Sequence, residues 1–237
     1  MFGGVLDWET LLESRADTNG YKQILTEFRG NCQAVGLTEY MTMKVTTLSP
    51  KDLAVFINFA DGLREDDTGG FTTKIGDKEI TVTKKYLQDV LKMPQEEEGE
   101  ALPDKSEDYN AFYDSCLLPT TKAANRSDHL KRNLMIQGWS DVAGVIQELF
   151  ENKSGSKDQM SGFAWKMMYH IYRRDKKYDY TDHLLTEMTK VVRRTKIAKS
   201  EDGKRVFTPA PSHTVRFQLI MNHEGVEQTE EIGRAHV

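Results

Sequence analysis

The sequence predicts a mainly α-helical chain with one small β-hairpin, an α+β fold whose C-terminal part is bundle-like. Three observations carry that reading. Apolar residues recur at helical spacing in segment after segment. Strict apolar alternation flanking a tight turn occurs at 71–82. An acidic stretch at 95–108, containing Gly99 and Pro103, divides the chain. The expected organisation is an α+β part over 1–94, an acidic linker read as a mobile loop over 95–108, a helical part over 109–195 and a loosely ordered tail over 196–231.

Each element has its own warrant. Asp7 can cap a short helix over 8–14. Ile24, Leu25, Phe28 and Cys32 share a helical face, and Gly36 can end that helix. Ser49-Pro50 is a helix start, because Ser accepts free amide bonds and Pro presets the first turn; Leu53, Phe56, Ile57 and Ala60 follow on one side. Asp66-Asp67-Thr68-Gly69-Gly70 is a turn leading into alternating Phe71, Thr73 and Ile75. Gly76-Asp77 turns again before Ile80 and Val82. Thr83 caps a helix carrying Tyr86, Leu87, Val90 and Leu91, with Pro94 beyond its end.

Further helices are expected over 109–116 and over 128–137, the latter with Leu130, Leu134 and Met135. Ser140 is read as the cap of an amphipathic helix bearing Val142, Val145, Ile146, Leu149 and Phe150. Met160, Phe163, Ala164, Met167 and Ile171 mark another. Thr181 is read as the cap of a last one, with Leu184, Leu185, Met188, Val191 and Val192 inward. The stretch 196–204 is polar and basic, and the alternation of Val215, Phe217 and Leu219 suggests a strand.

Composition narrows the class. The chain has 237 residues, 38% hydrophobic and 29% charged, with net charge −5. Residues 61–108 hold 14 acidic and 7 basic side chains, whereas 166–205 hold 12 basic and 6 acidic. Such asymmetry creates solvated faces of opposite sign and a potential polyanion-binding region. Cys32 and Cys116 have no metal or redox spacing and are expected as small buried apolar residues. No leader follows Met1, and no stretch approaches the roughly 20 apolar residues that span a bilayer, so an intracellular protein without a membrane partner is expected. The terminal residues Ile232, Gly233, Arg234, Ala235, His236 and Val237 read back into codons as the start of a sequencing-library adapter. The segment 232–237 is therefore expected to be an artefact, with the natural frame truncated before it.

The chemical motifs are sparse. Asp67-Thr68-Gly69 matches the triplet around an aspartic-protease aspartate, but a charged stretch precedes it, and a hairpin entry needs the same residues. His129, His170, His183, His213 and His223 form no zinc set, although His170 and His183 fall on adjacent helices and could approach each other. No phosphate-binding glycine loop or nucleophile elbow is present, so no enzyme, cofactor or metal is expected. Arg173, Arg174, Lys176 and Lys177 interleave with Tyr169, Tyr172, Tyr178 and Tyr180, and Arg193, Arg194 and Lys196 follow one helix later. Cations neutralise phosphates and tyrosines stack on unpaired bases, so these seven cations are the candidate nucleic-acid-binding residues. The competing reading is a solvated loop whose tyrosines reach out of the core. Met160, Met167, Met168 and Met188 are expected in that core.

The run from Leu53 to Ala60, the hairpin from Thr73 to Thr83 and the helix Tyr86-Leu87-Gln88-Asp89-Val90-Leu91-Lys92-Met93-Pro94 together resemble the putative plant transposon protein domain. The resemblance extends over most of 24–192. It departs where Asp77 interrupts the family's glycine-basic pair. It implies a mobile-element origin and a non-enzymatic, gag-like role, and it assigns no site residue. The expected function is thus a helical interaction module that self-associates or contacts proteins, with sequence-independent binding to RNA or DNA. The alternatives are a host protein-interaction scaffold without nucleic acid, or an aspartic-protease remnant using Asp67.

Overall fold

The computed structural model describes residues 7–14, 16–17, 20–43, 64–67, 69–75, 78–104, 106–121, 130–151, 158–197 and 214–224. The expected helix after Ser49-Pro50 lies outside them. The fold is mainly helical with a small antiparallel sheet.

Helix α1 (Trp8–Glu13) starts where the Asp7 carboxylate accepts the Glu9 and Thr10 amides at 3.1 and 3.2 Å. Helix α2 (Tyr21–Ala34) buries Tyr21, Leu25, Phe28 and Cys32. It ends at Gly36, whose φ of 78° is the left-handed conformation that only glycine adopts without strain. A short α3 (Thr38–Thr42), unmarked by any sequence signal, adds Tyr40 and Met41 to the core.

The sheet exceeds the expected hairpin by one strand. β1 (Arg64–Glu65) pairs with β2 (Phe71–Ile75), which pairs with β3 (Lys78–Val82), all antiparallel. Phe71 faces Val82 and Thr73 faces Ile80; these four side chains form the buried face, as alternation requires. Gly70 is buried at the strand entry, and a Cβ there would lie 2.1 Å from the Val82 carbonyl oxygen. Thr83 then caps α4 (Lys84–Leu91), its hydroxyl accepting the Tyr86 amide at 3.2 Å, with Leu87, Val90 and Leu91 inward.

Helix α5 (Glu107–Cys116) is capped by Ser106. The expected helix over 128–137 is corrected: 130–136 is extended around a single 3₁₀ turn, Arg132–Leu134. Its backbone groups are committed elsewhere. The Arg132 amide donates to Asp158, the Leu130 carbonyl accepts from Met160, and Ile136 and Leu134 bond to Cys116 and Leu118. Intrahelical bonding is therefore unavailable until α6 (Gln137–Ile146) begins. Ser140 accordingly sits inside α6 rather than capping it. A π turn, Gln147–Glu151, follows and keeps Phe150 buried.

Helix α7 (Gly162–Tyr172) starts at Ser161, whose hydroxyl accepts the Ala164 amide at 3.0 Å. Helix α8 (Tyr180–Ile197) is capped by Asp179, which accepts the Asp182 amide at 2.8 Å. Thr181, read as that cap, instead donates to the Pro94 carbonyl at 3.0 Å.

The expected strand over Val215, Phe217 and Leu219 is a helix, α9 (Thr214–His223), so this part of the tail belongs to the fold. Arg216, Leu219 and Ile220 are buried at helical spacing. An inward arginine broke the apolar pattern and left a misleading alternation. Its guanidinium donates to the Tyr40 hydroxyl at 2.9 Å and the Glu148 carbonyl at 2.8 Å. One hydrophobic core runs through these elements, with α2 packed on α6 and α7, and α4 against α8 and α9. Cys32, Cys116, Met160, Met167, Met168 and Met188 all lie in it.

The sheet entry supplies a direct test of this packing. Gly70→Ala places its methyl against backbone that cannot swing aside. The expected loss is about 1–3 kcal/mol of unfolding free energy, measured by urea denaturation. A loss below about 0.5 kcal/mol, the range of ordinary surface changes, would contradict the close approach.

Candidate nucleic-acid interface

The candidate cations at 173–177 lie on the turn joining α7 to α8, and local bonding explains why the chain turns there. The Arg173 amide donates to Tyr169 and the Arg174 amide to Ile171, while the Asp175 amide reaches back to His170. Arg174 takes a left-handed φ of 53°, a conformation that costs a non-glycine residue energy. Asn31 of α2 offsets that cost: its amide oxygen accepts the Arg174 Nε at 2.7 Å, and its nitrogen donates to the Tyr172 carbonyl at 3.3 Å.

Asp175 organises the inside of the turn. It is buried, and one carboxylate oxygen meets His170 Nδ1 at 2.9 Å and accepts the Leu102 amide at 2.8 Å. The other oxygen accepts the Lys177 amide at 3.1 Å, and the Asp175 carbonyl accepts the Tyr180 hydroxyl at 3.1 Å. The second nitrogen of His170 faces Asp104 at 3.1 Å. Both ring nitrogens of the fully buried His170 thus face carboxylate oxygens. Tyr178 stacks on that imidazole with ring centres 3.7 Å apart, and its hydroxyl lies 2.7 Å from His183 Nδ1. The expected approach of His170 and His183 thus occurs through Tyr178. Burial pushes the Asp104 carboxyl up, but hydrogen bonds from Lys166 and His170 outweigh it and hold the group below the ordinary aspartate value. Burial, reinforced by Lys166 and Lys190, lowers His183 to about 4.

The outside of the turn carries the charge. Arg173, Arg174, Lys176 and Lys177 are all exposed. Tyr172 is exposed beside them, its ring lying 4.8 Å from that of Phe112 at a shallow 30°. Tyr169 and Tyr180 are buried in the core and Tyr178 is half-buried on His170, so of these four tyrosines Tyr172 is the one that is exposed. Arg193, Arg194 and Lys196 fall on the last turns of α8, and their side chains lie outside the described residues.

Within the acidic stretch, 95–104 forms no helix or strand and lies as a strap along this turn. The Glu97 amide donates to the Lys176 carbonyl at 2.8 Å, and the Leu102 amide to Asp175. Glu97 pairs with Lys176 at 3.2 Å, and Asp108, in the first turn of α5, pairs with Arg173 at 3.3 Å. Lys84 bridges Glu96 and Asp179. Gly99, at φ 119°, lies beneath Lys177, whose Nζ would be 2.9 Å from a Cβ placed there. Sequence reasoning missed Asn31, Asp104 and Asp175. The opposite charge of the two regions was the available signal for Asp104; nothing in the sequence marks Asn31.

The other candidates are also placed. Asp67 is exposed in the β1–β2 turn, which the Gly69 amide closes onto the Asp66 carbonyl at 3.1 Å. Among the described residues, no group of three or more His, Cys, Asp and Glu side chains is arranged to hold a metal ion. Nor does any described helix have the length and apolarity to cross a membrane. Comparison with protein-family models, curated proteins and solved structures finds no match to this chain.

The lowered His183 pKa links stability to pH. The folded state favours the neutral ring, so the unfolded chain binds the extra proton first. The stabilisation is complete above the unfolded value near 6.5 and is lost as pH falls towards about 4. The unfolding midpoint should drop across that window. His183→Gln, which does not titrate and can still accept from Tyr178, should show a shallower drop in thermal denaturation; an unchanged slope would remove His183 as the cause.

Proposed function

We propose that this chain is a non-enzymatic helical interaction module of plant mobile-element origin. It binds RNA or DNA without sequence preference, through the turn carrying Arg173, Arg174, Lys176 and Lys177. The observation that carries the reading is the presentation of these four exposed cations beside an exposed, aromatic-backed Tyr172. Phosphates satisfy the cations, and an unpaired base can stack on the tyrosine. The mobile-element origin rests on the sequence resemblance, whose hairpin, helix and following proline occur in that order in the fold.

Phosphate contacts make affinity depend on salt. Binding to a labelled single-stranded oligonucleotide should weaken steadily between about 50 and 200 mM salt. The triple variant Arg173→Gln, Lys176→Gln, Lys177→Gln should flatten the log–log slope by about 2, at roughly 0.7 per lost phosphate contact. It spares Arg174, whose side chain braces the turn on Asn31. Fluorescence anisotropy with parent and variant decides the matter. Salt-independent binding, or an unchanged slope, would sink the reading; no binding by either protein at low salt would leave the interaction scaffold.

A further inference from the structure

Building on the reading just given, we propose that the acidic segment 95–108, the strap together with the first turn of α5, is an internal competitor for the basic turn, so that its carboxylates occupy the cations a nucleic-acid phosphate would take. Residues 95–108 contain seven acidic side chains and one basic one. The strap is fixed beside the turn by groups that a ligand does not need to displace: Thr181 to the Pro94 carbonyl, the Glu97 amide to the Lys176 carbonyl, and the Leu102 amide to buried Asp175. The pairs at the surface are of another kind. Arg173–Asp108 and Lys176–Glu97 are long, at 3.3 and 3.2 Å, and their side chains are 42–63% exposed. Exposed pairs of this type contribute little and exchange readily. An incoming phosphate can therefore replace the carboxylate without moving the strap.

Binding is then an exchange of anions rather than a gain of new pairs. The freed Glu97 and Asp108 carboxylates remain near the phosphates they yielded to, held by the strap's anchors and by α5, and repel them. The released carboxylates also take up salt cations, which offsets part of the cation release from the nucleic acid. Two signatures follow for a chain with the strap neutralised: tighter binding and a steeper salt dependence.

The test compares three full-length proteins by anisotropy with fluorescein-labelled oligothymidylate. Glu97→Gln with Asp108→Asn removes the competing charges and leaves every backbone anchor. Glu79→Gln with Asp89→Asn removes the same charge and breaks two other exposed pairs, Arg64–Glu79 and Lys85–Asp89, whose acids lie on β3 and α4. The strap variant should bind roughly five- to tenfold more tightly than the parent at low salt, with a steeper salt slope. The control should stay within about twofold of the parent. Equal tightening in strap variant and control overturns the proposal, since net charge would then explain it. Equal binding by parent and strap variant also overturns it, while the nucleic-acid reading stands. If neither the parent nor the strap variant binds at low salt, both readings fall.

Discussion

The contact between His170 and Asp175 is the constraint on which the rest of this region depends. It joins the last turn of α7 to the loop that follows, and both groups lie beyond the reach of water. A buried polar group is tolerated when its hydrogen-bonding capacity is filled, and this contact meets part of the capacity of each partner. Asp175 then has oxygen to spare for the Leu102 amide, and His170 has a second nitrogen for Asp104. Two otherwise independent pieces of chain, the strap and the start of α8, are fixed to one point. Removing one member of the pair leaves a buried polar atom of the other short of a partner, which in proteins generally costs about 1–3 kcal/mol.

From that point the surface charge is arranged. The turn cannot bury Arg173, Arg174, Lys176 and Lys177, because its inner face is already taken by Asp175, Tyr178 and Tyr180. The cations face outward, with Glu97 of the strap beside Lys176 and Asp108 of α5 beside Arg173. The charge asymmetry of the sequence is thus resolved within one fold as an acidic strand laid along a basic turn.

Legibility in the sequence followed the range of the interaction. Asp7 and Thr83 were readable as caps because a cap bonds to amides two or three residues away. The hairpin was readable because Phe71, Thr73, Ile80 and Val82 alternate locally. Ser140 misled for the opposite reason: helix α6 begins where bonds to Cys116 and Leu118 release the chain, and those partners are distant. Arg216 misled because a buried arginine bonded to Tyr40 and Glu148 looks, in sequence, like a solvent residue. At the candidate site the four cations and the neighbouring tyrosines were visible as a cluster. Their anchors were not, since Asn31 lies 143 residues from Arg174 and Asp104 lies 66 from His170.

The central claim is that the strap is docked through Asp175 rather than free in solvent. Native-state hydrogen exchange of the Leu102 and Glu97 amides tests it most directly. Docking predicts that both amides exchange orders of magnitude more slowly than an unstructured peptide, because opening requires breaking the bonds to Asp175 and to the Lys176 carbonyl. Exchange of both amides at the unstructured rate, with the amides of α7 still protected, would contradict the account.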